Sequence, residues 1–187
     1  MCGIVGYVGD KSAVEIILDG LKRLEYRGYD SAGVAVLGPE GLQVRRAAGR
    51  IKVLEGLLRE QPVKGSIGVG HTRWATHGRP TDDNAHPHTD GSGSLVVVHN
   101  GIIENYLPIK ERLQREGHEF RSETDTEVIA HLIERHLKDV PRLEEAVRRA
   151  LGELRGSYAI AVLSRNAPDR LVAAKHGAGS VVVGLGE

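Results

Sequence analysis

The chain has 187 residues, 40% of them hydrophobic and 27% charged, which is an ordinary globular balance with room for one domain and a sizeable core. Its 25 basic and 25 acidic residues cancel to a formal net charge of zero, which argues against a nucleic-acid binder held by bulk charge. A single cysteine excludes an internal disulfide and a cysteine-based zinc site, and aromatics at 4% are too few for a base-stacking platform.

The opening MCGIVGYVGD has no basic segment followed by a long apolar stretch, and no apolar run approaches membrane-spanning length. The expected compartment is the cytosol, with no membrane and no nucleic acid as partner. Residues 1–9 are apolar and β-branched and read as a buried strand. Ser12 is a candidate N-cap for a helix carrying Val14, Ile17, Leu18, Leu21 and Leu24 at helical spacing and stopping near Gly28. Residues 32–37 and 42–48 flank the turn Pro39-Glu40-Gly41 and read as a hairpin. A short helix over 51–58 and a strand over 66–71 follow.

Residues 73–94 then lose all apolar period and fill with Gly, Pro, Asp and His. An irregular stretch of that length inside a domain is usually functional or disordered. Leu95 to His99 is the strongest buried-strand signal in the chain. Helices are expected over 104–116, 126–137 and 142–154, and strands over 158–163, 171–174 and 181–183. Strands at both ends with helices between them point to sheets covered by helices, not to a regular strand–helix alternation.

Four features carry chemistry. Cys2 stands where removal of Met1 would leave one residue with both a thiol and a free α-amine. An α-amine with a pKa of about 7.7–8.0 is partly neutral near pH 7 and serves as a base, so one residue would supply nucleophile and base together. The plainer reading is a small buried cysteine. Asn100-Gly101 follows the strongest strand and offers a side-chain amide beside a backbone N–H, two donors for a developing oxyanion; the plainer reading is an Asn-Gly turn.

The run HTRWATHG at 71–78 enters the long loop. Arg73 suits a carboxylate gripped by two parallel hydrogen bonds, Thr76 and His77 add polar donors, and Trp74 suits a cover that excludes water. A basic solvated loop with one packing aromatic is the alternative. In SETDTEV at 122–128, Ser122 and Asp125 are candidate helix caps; the functional reading gives Asp125 a cationic ligand group such as an α-ammonium. His71, His77, His86, His88 and His99 crowd one region without a metal-ligand spacing, so no metal is expected there. With no phosphate-cradling loop, no nucleotide or other cofactor is expected either.

In order along the chain stand CGIVG at 2–6, YRGYDSAG at 26–33, HTRWATHG at 71–78, NAHPH at 84–88, HNGIIEN at 99–105 and SETDTEV at 122–128. Together they resemble a class II glutamine amidotransferase domain over essentially the whole chain. Each motif alone is weak and the combination is highly specific. The resemblance implies an α+β fold, a four-layer α/β/β/α sandwich of two antiparallel sheets, that of the N-terminal nucleophile (Ntn) hydrolases. It implies a glutaminase in which Cys2 attacks the glutamine side-chain amide to form a glutamyl thioester, with its own α-amine as base. Asn100 and Gly101 would form the oxyanion hole. Arg73 would hold the α-carboxylate of glutamine with Thr76 and His77 nearby, Asp125 the α-ammonium, Trp74 would belong to the closing loop, and Arg27 would support the cysteine.

Within the class, YRGY at 26–29, TRWAT at 72–76 and NGIIEN at 100–105 resemble the aminosugar-forming branch, not the purine-pathway or asparagine-forming branches. The purine-pathway branch, or a non-catalytic glutamine-sensing domain of the same fold, are the alternatives. The expected partners are L-glutamine and the sugar isomerase domains of a full-length enzyme, with a homodimer expected at full length. The resemblance implies one glutaminase domain over residues 1–187, truncated at its C-terminus, without the sugar isomerase domains. It also departs from the pattern: KHGAGSV at 175–181 stands where the branch usually reads RSGSPLV.

Overall fold

Most strands of this chain are apolar on both faces, and the structure shows what covers each face. The structure is a computed structural model that describes residues 2–177 and 179–186. One sheet holds β1 (Gly3–Val8), β2 (Ser31–Gly38), β3 (Gly41–Ala48) and β4 (Ile67–Arg73), ordered β1-β4-β2-β3. The other holds β5 (His88–Thr89), β6 (Leu95–Ile103), β7 (Gly156–Ser164) and β8 (Leu171–His176), ordered β5-β6-β7-β8. Every pairing is antiparallel.

Because side chains alternate across a strand, consecutive apolar residues serve two different cores. Ala35 and Leu37 of β2, Ile67 and Val69 of β4, Val96 and Val98 of β6 and Ala161 and Leu163 of β7 pack sheet on sheet. On the outer face of the first sheet, Val34 and Val36 meet Ile17 and Leu21 of α1 (Ala13–Leu24) and Leu54 and Leu58 of α2 (Ile51–Glu60). On the outer face of the second, Leu95, Val97, Ile160 and Val162 meet α3 (Tyr106–Arg115), α4 (Glu127–Leu137) and α5 (Leu143–Glu153). The layers therefore run helix, sheet, sheet, helix. This is the α/β/β/α sandwich of the Ntn hydrolases.

β4 meets α1 through glycine. A Cβ built on Gly70 would sit 2.3 Å from Ile17 Cγ2, so only a residue without a side chain lets α1 lie this close to the sheet. Ser12 is the residue before α1, but its side chain caps nothing; Ala13 N–H instead donates to Gly65 O at 2.9 Å. The strand expected over 181–183 does not form. Val181, Val182 and Val183 are exposed and unpaired, with Val182 at 88%, because β-branched residues make a strand only beside a neighbour and none of the described strands adjoins them. Among the described residues no helix is long and apolar enough to cross a membrane.

Candidate active site

The adjacent antiparallel ends of β1 and β4 bring the chain start against the long loop: Gly3 pairs with Thr72, so Cys2 lies beside Arg73 and Trp74. Trp74 N–H donates to Cys2 Sγ at 3.2 Å, and the thiol faces Trp74 O at 3.6 Å. Burial pushes the Cys2 thiol pKa up, opposed in part by the bond from Trp74. At neutral pH the group is a thiol, and a base must take its proton before it attacks.

Asn100 and Gly101 approach from the other sheet. They do not form a turn; both lie inside β6, paired with Ala159 and Tyr158 of β7. Asn100 Nδ2 donates to Cys2 O at 3.2 Å. Its other end is held from below by His71, whose Nε2 lies 2.9 Å from Asn100 Oδ1 and 3.0 Å from His99 O. Both partners are acceptors, so Nε2 carries the proton and Asn100 must turn its Nδ2 toward Cys2. Burial lowers the His71 pKa to about 3, which keeps the ring neutral and this tautomer fixed. Gly101 has φ +137, and a Cβ there would lie 2.1 Å from Ser157 O, so the backbone at this point has room for glycine alone.

Arg73 is buried and spends its guanidinium on its own loop. Nη1 donates to Arg79 O at 3.3 Å, Nη2 donates to Gly78 O at 3.2 Å and to His77 O, and Nη1 lies 4.0 Å from Asp30 Oδ1. A buried guanidinium must satisfy its donors, and the carbonyls of 77–79 do so here. Asp125 is buried too. Its Oδ2 accepts Ile103 N–H at 2.8 Å, and its Oδ1 lies 3.8 Å from His77 Nδ1. Neither it nor Ser122 caps α4: Ser122 N–H and Oγ–H both donate to Glu127, at 2.7 and 2.6 Å.

Trp74 is half exposed and stacks edge-on with Tyr29, ring centroids 5.4 Å apart; it is its backbone that touches the thiol. Thr76 is exposed and lies 3.3 Å from His77. All of Cys2, Arg27, Arg73, Trp74, Thr76, His77, Asn100, Gly101 and Asp125 line one cavity of about 500 Å³. That is within the usual range for a small-molecule site. These nine candidates are therefore brought to one place, while Ser122 lies outside the cavity lining.

Two supports went unrecognised in the sequence. Asp30 accepts Ala75 N–H and Ser31 Oγ–H, the latter at 3.0 Å, and so anchors the loop after Trp74. Asn84 ties Arg79 O to Glu123, accepting Glu123 N–H at 2.8 Å. The signal for Asp30 and Asn84 was membership of the ordered motifs, not spacing. The histidines that crowd one region of the sequence do gather in space: His71, His86, His88 and His99 are buried together, His71 and His86 stacked with ring centroids 4.1 Å apart, and His86 and His99 line the cavity.

The family description "glutamine amidotransferase domain" matches residues 71–183, more than half of the chain. The chain is 56% identical, over all of its length, to glutamine–fructose-6-phosphate aminotransferase (isomerizing) of Thermococcus kodakarensis. It is 54% identical to that of Thermus thermophilus and 55% to that of Aquifex aeolicus. It spans 30–31% of the length of these relatives. The solved structure of glutamine phosphoribosylpyrophosphate amidotransferase from B. subtilis is similar over 88% of this chain and 35% of that one, with a TM-score of 0.76 and 30% identity. A structure of the allosteric regulatory enzyme of purine biosynthesis matches 88% of this chain and 36% of its own, with a TM-score of 0.77 and 30% identity.

Proposed function

The chain belongs to the glutamine amidotransferase domain family, and from that premise we propose that it hydrolyses L-glutamine to glutamate and ammonia through a Cys2 thioester. The observation that carries this reading is the meeting of two sheets at one atom: Cys2 from the first, and the Asn100 amide, aimed by His71, from the second. Loss of Met1 would expose the Cys2 amine, which takes the thiol proton. The thiolate adds to the amide carbon, and the oxygen gains charge against Asn100 Nδ2 and Gly101 N–H. The C–N bond breaks, ammonia leaves with the proton, and water then cleaves the thioester to glutamate.

In this reading the α-ammonium of glutamine sits on Asp125. Its α-carboxylate displaces the carbonyls of 77–79 from Arg73, which makes loop movement part of binding. We assign the ammonia to aminosugar formation on fructose-6-phosphate by the sugar isomerase portion of a longer enzyme. Identity of 54–56% to the isomerizing aminotransferases, against 30% to the purine-pathway structure, supports that branch. The same comparison disfavours the purine-pathway alternative.

Cys2→Ala is expected to abolish glutamate release from glutamine while leaving the far-ultraviolet circular dichroism unchanged. Intact mass shows at once whether Met1 is gone and whether a glutamine-like electrophile adds one equivalent to the parent and none to the variant. Turnover retained in Cys2→Ala would sink the mechanism, and a Met1-free, folded parent that releases no glutamate would favour a glutamine-sensing role.

A further inference from the structure

A second cluster of chemistry-bearing side chains lies on the far side of α4. His131 and Glu134 are one helical turn apart on α4, and His118 follows α3. His131 is buried, while the side chains of His118 and Glu134 are 7% and 21% exposed. Three donor atoms converge there. His118 Nδ1 and His131 Nδ1 are 3.1 Å apart, and Glu134 Oε2 lies 3.2 Å from the first and 3.4 Å from the second. All three side chains line a cavity of about 300 Å³, which shares no lining residue with the cavity at Cys2.

Those separations have a meaning. Around an ion held about 2.0–2.1 Å from each nitrogen or oxygen, tetrahedral ligands lie roughly 3.3–3.4 Å from one another. The triangle of donors is close to that of three tetrahedral corners, and the three residues line the cavity from which a fourth ligand would come. A second observation points the same way. His131 Nε2 is buried without a hydrogen-bond partner, and its nearest acid is Glu127 Oε1 at 3.7 Å. A carboxylate behind the far nitrogen is the usual support of a metal-bound imidazole. Two imidazoles and one carboxylate suit the borderline divalent transition metals and not calcium or magnesium.

We propose that His118, His131 and Glu134 form a site for a divalent transition cation of the zinc class, binding through Nδ1, Nδ1 and Oε2 with one position left to water. Such an ion would tie the segment after α3 to α4, whose N-terminus follows Asp125. The site is independent of the glutamine reading. The alternative is a hydrogen-bonded staple in which the two rings share one proton.

The test is titration of the full chain with zinc chloride and, separately, with cobalt(II), in a Cys2→Ser background so that the N-terminal thiol binds nothing. One equivalent of zinc, tetrahedral cobalt absorption bands and a zinc-dependent rise in Tm are expected. Glu134→Gln should weaken zinc binding about tenfold or more, because a neutral amide is a poor ligand. His118→Ala should lose stoichiometric binding, and His136→Ala, outside the site, should keep it. Absence of one-to-one binding in the parent, or equal affinity in Glu134→Gln and the parent, overturns the proposal in favour of the staple. Should His118→Ala not fold, Glu134→Gln decides, since it keeps the shape of the side chain.

Discussion

At the scale of single residues, the orientation of one amide organises the site. Asn100 is isosteric about its terminal O and N, and only its neighbours decide which atom faces Cys2. His71, neutral and a donor at Nε2, decides it. Asn100→Ala is expected to lower kcat for glutamine hydrolysis by roughly 10²–10³-fold with a small change in KM, as for loss of one oxyanion donor. His71→Ala leaves the donor in place but unaimed, and is expected to lower kcat by up to about 10²-fold, again with KM nearly unchanged. Steady-state kinetics on both variants separate aiming from binding; a KM effect alone in His71→Ala would remove it from this role. Asp125 needs a different design. It accepts Ile103 N–H as well as facing the cavity, so Asp125→Ala also strands a buried donor, at about 1–3 kcal/mol of stability. Asp125→Asn keeps an acceptor and removes the charge. It is expected to weaken glutamine binding at least about tenfold with a much smaller loss of Tm than Asp125→Ala, measured by calorimetry and thermal melts.

At the scale of elements, strands with two apolar faces require two covering layers, and the chain supplies sheet on one side and helices on the other. α1 lies close against β4 because Gly70 lets Ile17 reach the sheet. Gly70→Ala is expected to cost about 1–3 kcal/mol through overpacking. Ile17→Ala, which removes the Cγ2 that the new methyl would strike, should recover part of that loss in the same chain, although alone it would cost about 2–5 kcal/mol. Urea unfolding of the two single variants and the double variant gives the coupling; strict additivity would show that the two groups do not compete for space. The loop between β4 and β5 obeys other rules. It has no apolar face to bury, so it is held by side chains: Asp30 on Ala75, Asn84 on Glu123, Arg73 on the carbonyls of 77–79.

At the scale of the whole molecule, the buried histidines couple folding to pH. Burial lowers the pKa of His71 to about 3 and of His99 to about 4, and lowers those of His86 and His88 as well. Below pH about 6.5 the unfolded chain takes up protons that the folded chain refuses, so the unfolded state binds more protons and stability falls as pH falls. Each such ring contributes up to about 1.4 kcal/mol per pH unit across that window. Four rings acting together make a steep loss between pH 6.5 and 4, with little change between pH 7 and 8 from these groups. Denaturant unfolding at several pH values measures the slope. A flat profile from 6.5 to 5 would mean that the rings are charged or solvated, contrary to their burial.

Much of this was written in the chain. Apolar periodicity marked the strands and helices, because burial of one or both faces leaves its imprint residue by residue. The ordered motifs marked residues from Cys2 to Asp125 that line one cavity, although they stand far apart along the chain. Local pattern misread whatever depends on a partner remote in sequence. Residues 181–183 have the composition of a strand but, among the described residues, no strand to pair with. Asn100-Gly101 has the composition of a turn, yet β7 holds it in a strand. The direction of the Asn100 amide, the retention of Arg73 by its own loop, and the convergence of His118 with His131 and Glu134 were decided only when the layers packed. Hydrogen bonds and ligand triangles are set by angles and distances in space, and those exist only in the folded chain.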